Sequence, residues 1–436
     1  MPARISAIAV MLAAALCVGT DAVARGAPDP APPSPTPSPR PIVLGGHYVA
    51  EFAGNTSGGL ALGTAYASEF MLSGKFDLAR LVGPGLGTVR LILTAREGSS
   101  LSANDVGNIF TVQEIYGDGL TPRLTELSYD QPFARGNADL YAGRINTEND
   151  FAASSAYWGG ISLYCSYQNN AICGTPIAAP IDSGYVAYPS SAWGARFKAY
   201  PAPWFYLEAG AYEVNPESGL RGNGFKLSTT GDTGTFLPLE IGLTRKDALG
   251  NLTGSVKAGA YYDTSLAPTA ASQLTRFLQP DSDALAYVPN ETYRGRFGFW
   301  LLFDTLVAGS AAKDRRGIAL FGALEYGDPQ TSQLSLFADA GAIAHGTFAG
   351  RDDDTVSLGF AYTDINPRLR ALETSLQNSG LSVPLTEQEK MLEFNYGARV
   401  APWFALRPGV QYVINPSGEK TIPNALVWTL QGVASF

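Results

Sequence analysis

Beyond the first two dozen residues, apolar and polar positions alternate along one segment after another. Val89, Leu91, Leu93 and Ala95 fall on one side, with Arg90, Thr94 and Arg96 on the other. Leu252, Val256, Ala258 and Tyr262 oppose Thr253, Ser255, Lys257 and Asp263. Phe297, Phe299, Leu301 and Phe303 share a face opposite Arg294, Arg296 and Asp304, and Val356, Leu358, Phe360 and Tyr362 oppose Thr355, Ser357 and Thr363. Successive strand side chains point to opposite faces of a sheet, so each segment predicts an amphipathic strand of ~9–11 residues. After Ala24 no apolar run reaches the roughly eighteen residues that a membrane helix needs.

Such strands fit a soluble sandwich with its apolar face inside or a membrane barrel with its apolar face outside. The final segment decides. Leu426, Trp428, Leu430, Gly432, Ala434 and Phe436 form one face, Thr429, Gln431 and Ser435 the other, and the sequence closes on the aromatic. The expected fold is all-β: a transmembrane antiparallel β-barrel of about 16 strands, with short periplasmic turns and long extracellular loops. Sixteen strands allow ~25 residues for each strand and its connection, and leave a water-filled lumen that eight would not. Short turns are expected at Val82–Gly87, Lys246–Asn251 and Tyr326–Thr331. Long loops are expected at 97–120, 146–190, 213–234, 264–292 and 364–389.

The start of the chain reads as targeting. Arg4, the apolar run Ile5–Leu16 and Ala22-Val23-Ala24 make residues 1–24 a secretory signal peptide. Eight of the fourteen residues from Pro28 to Pro41 are proline, so 25–41 is a disordered, polyproline-like lead and 42–436 the barrel. Composition agrees. Charged residues are 16% against a usual ~25%, and mean hydropathy is +0.01. A net charge of −9 argues against nucleic acid as a partner.

Two stretches echo each other: Gly194-Ala195-Arg196, Pro203-Trp204-Phe205 and Asn215-Pro216, then Gly397-Ala398-Arg399, Pro402-Trp403-Phe404 and Asn415-Pro416. Each reads as strand, tight Pro-Trp turn and strand, with tryptophan at the membrane edge. The order of further motifs resembles the carbohydrate-selective porins of the OprB type. These are Asn55-Thr56-Ser57-Gly58-Gly59, Leu124 to Tyr129 with Gln131, Tyr141-Ala142-Gly143-Arg144 closed by Asp150-Phe151, and Tyr188-Pro189 before Trp193. Later come Gly350-Arg351 to Asp354, Glu393 to Tyr396, and Gln411-Tyr412. The resemblance covers roughly residues 46–436. It implies a sixteen-stranded outer-membrane barrel that passes sugars by diffusion through an arginine-rich constriction.

Alternation alone places Arg90, Arg96, Arg196, Lys198, Lys257, Arg294, Arg296, Arg399 and Arg407 inward, with Glu126, Glu240, Asp304, Glu393 and Gln411. Basic residues therefore outnumber acidic ones on the expected lumen wall, leaving the excess carboxylates to the loops. Arginine offers five donors on a rigid plane, and aromatic rings stack on the C–H faces of a pyranose. Such sites must be weak if solute is to leave. Arg90, Arg96, Arg196, Lys257, Arg294, Arg296, Arg399, Arg407, Glu126 and Gln411 are the pore-lining candidates. The same arginines suit sugar acids, so a general or anion-selective porin stays open, as does a plugged structural or adhesive barrel.

Cys165 and Cys173 fit a disulfide outside the cytoplasm. His47 and His345 have no nucleophile motif beside them. No metal site or cofactor is expected, and Asp352-Asp353-Asp354 reads as a solvated turn. The expectation is a passive carbohydrate porin of a Gram-negative outer membrane, not an enzyme. Its partners would be small carbohydrate solutes, outer-membrane lipid and lipopolysaccharide, and the barrel assembly machinery through Phe436.

Overall fold

The computed structural model describes residues 40–117, 120–153, 166–248, 252–278, 281–309 and 316–436. The signal segment, the proline-rich lead as far as residue 39, and Cys165 lie outside them. In order, the strands are β1 (Ile42–Ser57), β2 (Gly63–Asp77), β3 (Thr88–Gly98), β4 (Pro122–Phe133), β5 (Ala138–Ile145) and β6 (Ala192–Ala202). β7 (Phe205–Val214), β8 (Gly234–Lys246), β9 (Leu252–Pro268), β10 (Thr292–Gly309) and β11 (Gly317–Gly327) continue the series. β12 (Leu334–His345), β13 (Thr355–Ile365), β14 (Gln388–Ala401), β15 (Phe404–Ile414) and β16 (Ala425–Ser435) complete it. Each pairs antiparallel with its sequence neighbours and β1 pairs with β16, closing one sixteen-strand barrel. Closure removes the sheet edges that would otherwise carry unpaired backbone groups into lipid.

The alternation sorts as the pattern predicts. Phe52, Leu239, Phe299, Leu358 (54% exposed) and Trp428 (58%) face outward, and their strand neighbours Ala53, Glu240, Trp300, Ser357 and Thr429 are buried inward. At the seam, Gly46 and Phe436 exchange two backbone hydrogen bonds of 3.0 Å. The Phe436 ring stacks on Phe70 with centroids 6.2 Å apart. The two echoed stretches fold alike. Pro203-Trp204 and Pro402-Trp403 are two-residue turns whose tryptophan carbonyls accept the N–H of Thr244 and of Ser435, each at 2.8 Å.

Connections alternate between a turn end and a loop end. Tyr326–Thr331 is a short connection, but it joins β11 to β12 at the loop end, so brevity alone does not mark the turn side. Loop 366–387 holds the helix α1 (Pro367–Asn378), capped by Asn366 accepting from Arg368 N–H and started by Pro367. Pattern reading missed it because a single helix of three turns sits inside a polar loop.

The described residues of the loops after β3 and β5, 99–117 and 166–191, fold into the barrel. Leu101, Phe110, Val112, Tyr167, Ile172 and Ile177 are buried against inward Phe321, Phe337, Ile343, Met391 and Val427. Phe110 meets Phe337 edge-on at 5.8 Å and Tyr167 meets Phe321 at 5.6 Å. The lumen therefore has its own apolar core along β11–β16. A second buried apolar cluster, with Tyr141, Phe151, Tyr212, Phe236, Tyr261 and Trp300, lies along β5–β11.

Candidate functional site

Carboxylates on the inner wall hold these loops by their backbones. Glu389 accepts the N–H of Ile109 (2.8 Å), Phe110 (2.9 Å) and Ser417 (2.7 Å). Glu393 accepts the N–H of Gln168 and of Asn169, both at 2.8 Å. Glu240 accepts from Ala152 N–H at 2.9 Å, and Asp263 from Gly184 N–H at 2.7 Å. Gln411 joins in, donating to Val112 O at 3.1 Å and accepting from Asn169 Nδ2 at 2.9 Å. A charged acceptor strengthens each such bond and leaves no loop amide stranded in a dry interior. In return, loop residue Asp182 accepts the N–H of Gln333 and Leu334, and burial pushes its carboxyl up to about 7.

Between the clamped loops and the remaining wall lies a cavity of about 960 Å³. It reaches from His47, next to Gly46 at the seam, to Leu266–Pro268 at the loop end of β9. On one side Arg96 donates to Glu69 at 2.6 Å and lies 5.3 Å above the Tyr188 ring. Glu69 also receives the Tyr188 hydroxyl (2.8 Å) and faces His47 Nε2 at 3.1 Å. Across the cavity Arg296 donates to Asp263, to Ser265 Oγ (2.7 Å) and to Asp182 O (3.0 Å). Glu114, from loop 99–121, completes the lining. Burial raises its carboxyl to about 8, with Arg96 pulling the other way.

A second group forms toward the turn end. Arg90 and Arg196 approach the Tyr141 ring at 5.9 and 5.5 Å, and the Tyr141 hydroxyl donates to Glu126 at 2.6 Å. Arg196 is paired with Asp139, Asp150 and Glu208, Arg90 with Asp130, and Lys198 with Glu208 at 3.2 Å. Lys257 donates to Ala153 O at 2.7 Å, and Arg407 donates to Gln431 behind the packed loops. Arg399 stays at the turn end, its guanidinium on Pro402 O at 3.3 Å.

Arg294 is a correction. A bulge at Gly295, with φ of 88°, shifts the register between Arg294 and Arg296. Arg294 then lies opposite outward Leu266 and is exposed, while Arg296 lies opposite inward Asp263. The expected excess of inward basic charge is corrected as well. Glu51, Glu69, Glu208, Asp263, Glu325, Asp339 and Glu389 are buried strand residues, not loop residues. Glu69 could have been found from its alternation with Phe70 and Leu72. Glu114 carries no local signal and Tyr188 only the Tyr188-Pro189 motif; the inward fold of their loops is what brings both to the cavity.

Cys173 is disulfide-bonded. Asp352 pairs with Arg316, and Asp354 receives Arg351 at 2.7 Å together with the Tyr396 hydroxyl. Arginines thus occupy the acidic turn, and no cluster of metal-ligating side chains occurs among the described residues.

A closed barrel with a lipid-facing apolar belt, inward loops and a polar cavity along its height is an outer-membrane porin. Residues 62–436 match the sequence model described as "Carbohydrate-selective porin, OprB family", and the chain belongs to that family. It is 30% identical to Porin B of Pseudomonas aeruginosa over 397 residues, covering 87% of this chain and 84% of that protein. A putative porin, QuiX, of Acinetobacter baylyi is 26% identical, covering 83% and 81%. The high-pH structure of Pseudomonas putida OprB superposes with a TM-score of 0.80 at 28% identity, covering 91% of this chain and 94% of that one.

Proposed function

We propose that neutral mono- or small oligosaccharides diffuse through the cavity between Arg96, Tyr188, Glu114 and Arg296. The observation that carries this reading is the pairing of two of its three arginines, Arg96 with Glu69 and Arg296 with Asp263, while the third, Arg276, donates to Gln333 Oε1 at 3.3 Å. A paired guanidinium still presents spare N–H donors to a hydroxyl, but its charge is offset nearby, so it does not hold an anion strongly. The Tyr188 ring, which lines the cavity, offers a surface on which the C–H face of a pyranose stacks. Contacts of this kind are individually weak, which lets solute leave as readily as it enters. The paired charges disfavour the sugar-acid alternative, and the open cavity disfavours a plugged barrel.

Swelling of liposomes holding the refolded protein tests this with glucose, maltose, a neutral amino acid and gluconate. Faster entry of glucose than of an amino acid of similar size is expected, with gluconate slower still. Rates ranked only by size would leave a general porin, and no swelling would leave a structural barrel. We assign lipopolysaccharide and the assembly machinery, the latter through Phe436, as further partners of the same reading.

A further inference from the structure

Two arginines reach the cavity from different elements and are tied, behind its wall, to one residue. Arg296 stands on β10, and Arg276 on the segment 269–278 that follows β9. The residue is Asp182, which ends a single helical turn, Ala178–Asp182, in the inward loop after β5. It is 3% exposed and does not border the cavity, although Ile181 and Ser183 on either side of it do.

The tie to Arg296 runs through the main chain. Arg296 Nη1 donates to Asp182 O at 3.0 Å. Two residues on, Gly184 N–H donates at 2.7 Å to the same Asp263 oxygen that takes Arg296 Nη2. The tie to Arg276 runs through the side chain. The Asp182 carboxylate accepts Gln333 N–H at 2.7 Å and Leu334 N–H at 2.8 Å, and Gln333 Oε1 accepts Arg276 Nη1 at 3.3 Å. The β11–β12 connection that holds Gln333 is fastened from its far side too. Asn366, the cap of α1, donates its N–H to Gln333 O at 2.9 Å and its amide to Ser332 O at 2.7 Å. Segment 269–278 docks on that connection, with Ala270 N–H on Gln330 O at 2.8 Å and the Gln273 amide on Thr331 O. Burial raises the Asp182 carboxyl, its two backbone bonds lower it, and Arg276 and Arg296 lower it further. Both guanidinium groups therefore lie within electrostatic reach of it.

We propose that Asp182 is a positioning residue for sugar passage: it sets the spacing of Arg276 and Arg296, so that both guanidinium forks meet hydroxyl groups of one pyranose at once. The inference rests on the reading that neutral sugars cross this cavity. A carboxylate accepting two adjacent backbone N–H groups holds that segment through charge-assisted bonds. Donors held at a fixed spacing bind without first being ordered, whereas two independent side chains each lose rotamer freedom on contact.

The full-length protein in planar bilayers would be titrated with glucose, reading the concentration that half-saturates the drop in ion current. In Asp182→Asn one backbone N–H meets an amide N–H, and the half-saturating concentration should rise about tenfold. Gln333→Leu keeps the backbone bond to Asp182 and cuts only the contact with Arg276, so a rise of about threefold is expected. Compact migration on unheated gels identifies the folded variants, and Gln333→Leu decides if Asp182→Asn does not fold. Combining Asp182→Asn with Arg276→Ala should fall short of the product of the separate shifts, because both act on one site. Parent-like half-saturation in folded Asp182→Asn, or failing that in Gln333→Leu, would overturn the inference. So would shifts that multiply in the double variant, which is what a merely structural role produces. A parent current that glucose leaves unchanged would overturn the sugar reading itself.

Discussion

Two side chains carry most of the cavity's chemistry, and each makes a separate forecast. Glu114 Oε1 is buried without a hydrogen-bond partner among the described residues, and its carboxyl is raised to about 8 by burial. Near pH 7 it is chiefly the neutral acid, and it ionises as pH rises through that value. Permeability of cations relative to anions should therefore rise between about pH 7 and pH 9, and Glu114→Gln should flatten the step. A raised carboxyl stabilises the fold fully below its unfolded pKa and loses that contribution as pH passes about 8. The parent should accordingly lose more urea resistance over the same interval than Glu114→Gln. Arg96 is a different case, since Glu69 beside it is wholly buried. Arg96→Met should cost about 3–5 kcal/mol by leaving that carboxylate unpaired, and adding Glu69→Gln should restore part of it. A denaturant midpoint unchanged by Arg96→Met would show the pair to be superfluous. Arg294→Ala, outside the lumen, should leave sugar flux as it was, whereas Arg296→Ala should alter it.

At the level of elements, the strands were readable and the loops were not, for one physical reason. A strand's partner is the next strand, and period two states which face is buried, so β3, β9, β10 and β13 follow from a dozen residues each. The loop anchors are remote. Gln168 and Glu393 are 225 positions apart, and Ile109 and Glu389 are 280 apart. A polar loop has the same composition whether its amides face water or a wall carboxylate. Glu393 and Gln411 were visible as inward residues, but their service as loop clamps was not. The one misread strand residue, Arg294, fails because two β9 residues oppose Gly295 alone, which breaks the alternation and reverses the face. If the clamps are as important as their geometry suggests, Glu389→Ala with Glu393→Ala removes the acceptor of five backbone N–H groups, each bond worth about 1.5–3 kcal/mol. The barrel should still fold, because its ladders are untouched. Loops 99–121 and 146–191 should loosen, raising single-channel conductance and open-state noise and exposing the loops to protease. Parent-like conductance and protease resistance would show that the apolar contacts of Phe110 and Tyr167 hold the loops unaided.

For the whole molecule, the question is how an acidic chain with an arginine-lined lumen avoids becoming an ion-selective channel. Counting arginines along the strands suggests a positive pore. The folded wall instead sets a carboxylate beside Arg96 and Arg296 in the cavity, and does the same for Arg90, Arg196 and Lys198 farther down. Fields from such close pairs largely cancel within a few ångströms, leaving local dipoles that suit hydroxyl groups and a weak net potential for ions. Selectivity for neutral solutes then depends on the acids as much as on the arginines. This reverses the usual expectation for mutagenesis, in which arginines would be removed to abolish anion preference. Here the parent should show a reversal potential near zero in a salt gradient at neutral pH. Asp263→Asn should uncover the charge of Arg296 and shift the potential toward anions, with gluconate entering liposomes faster while glucose slows or holds. Arg296→Gln should shift it toward cations. If Asp263→Asn leaves both the reversal potential and the gluconate rate unchanged, charge cancellation is not what makes this pore favour sugars, and the size of the cavity must do so alone.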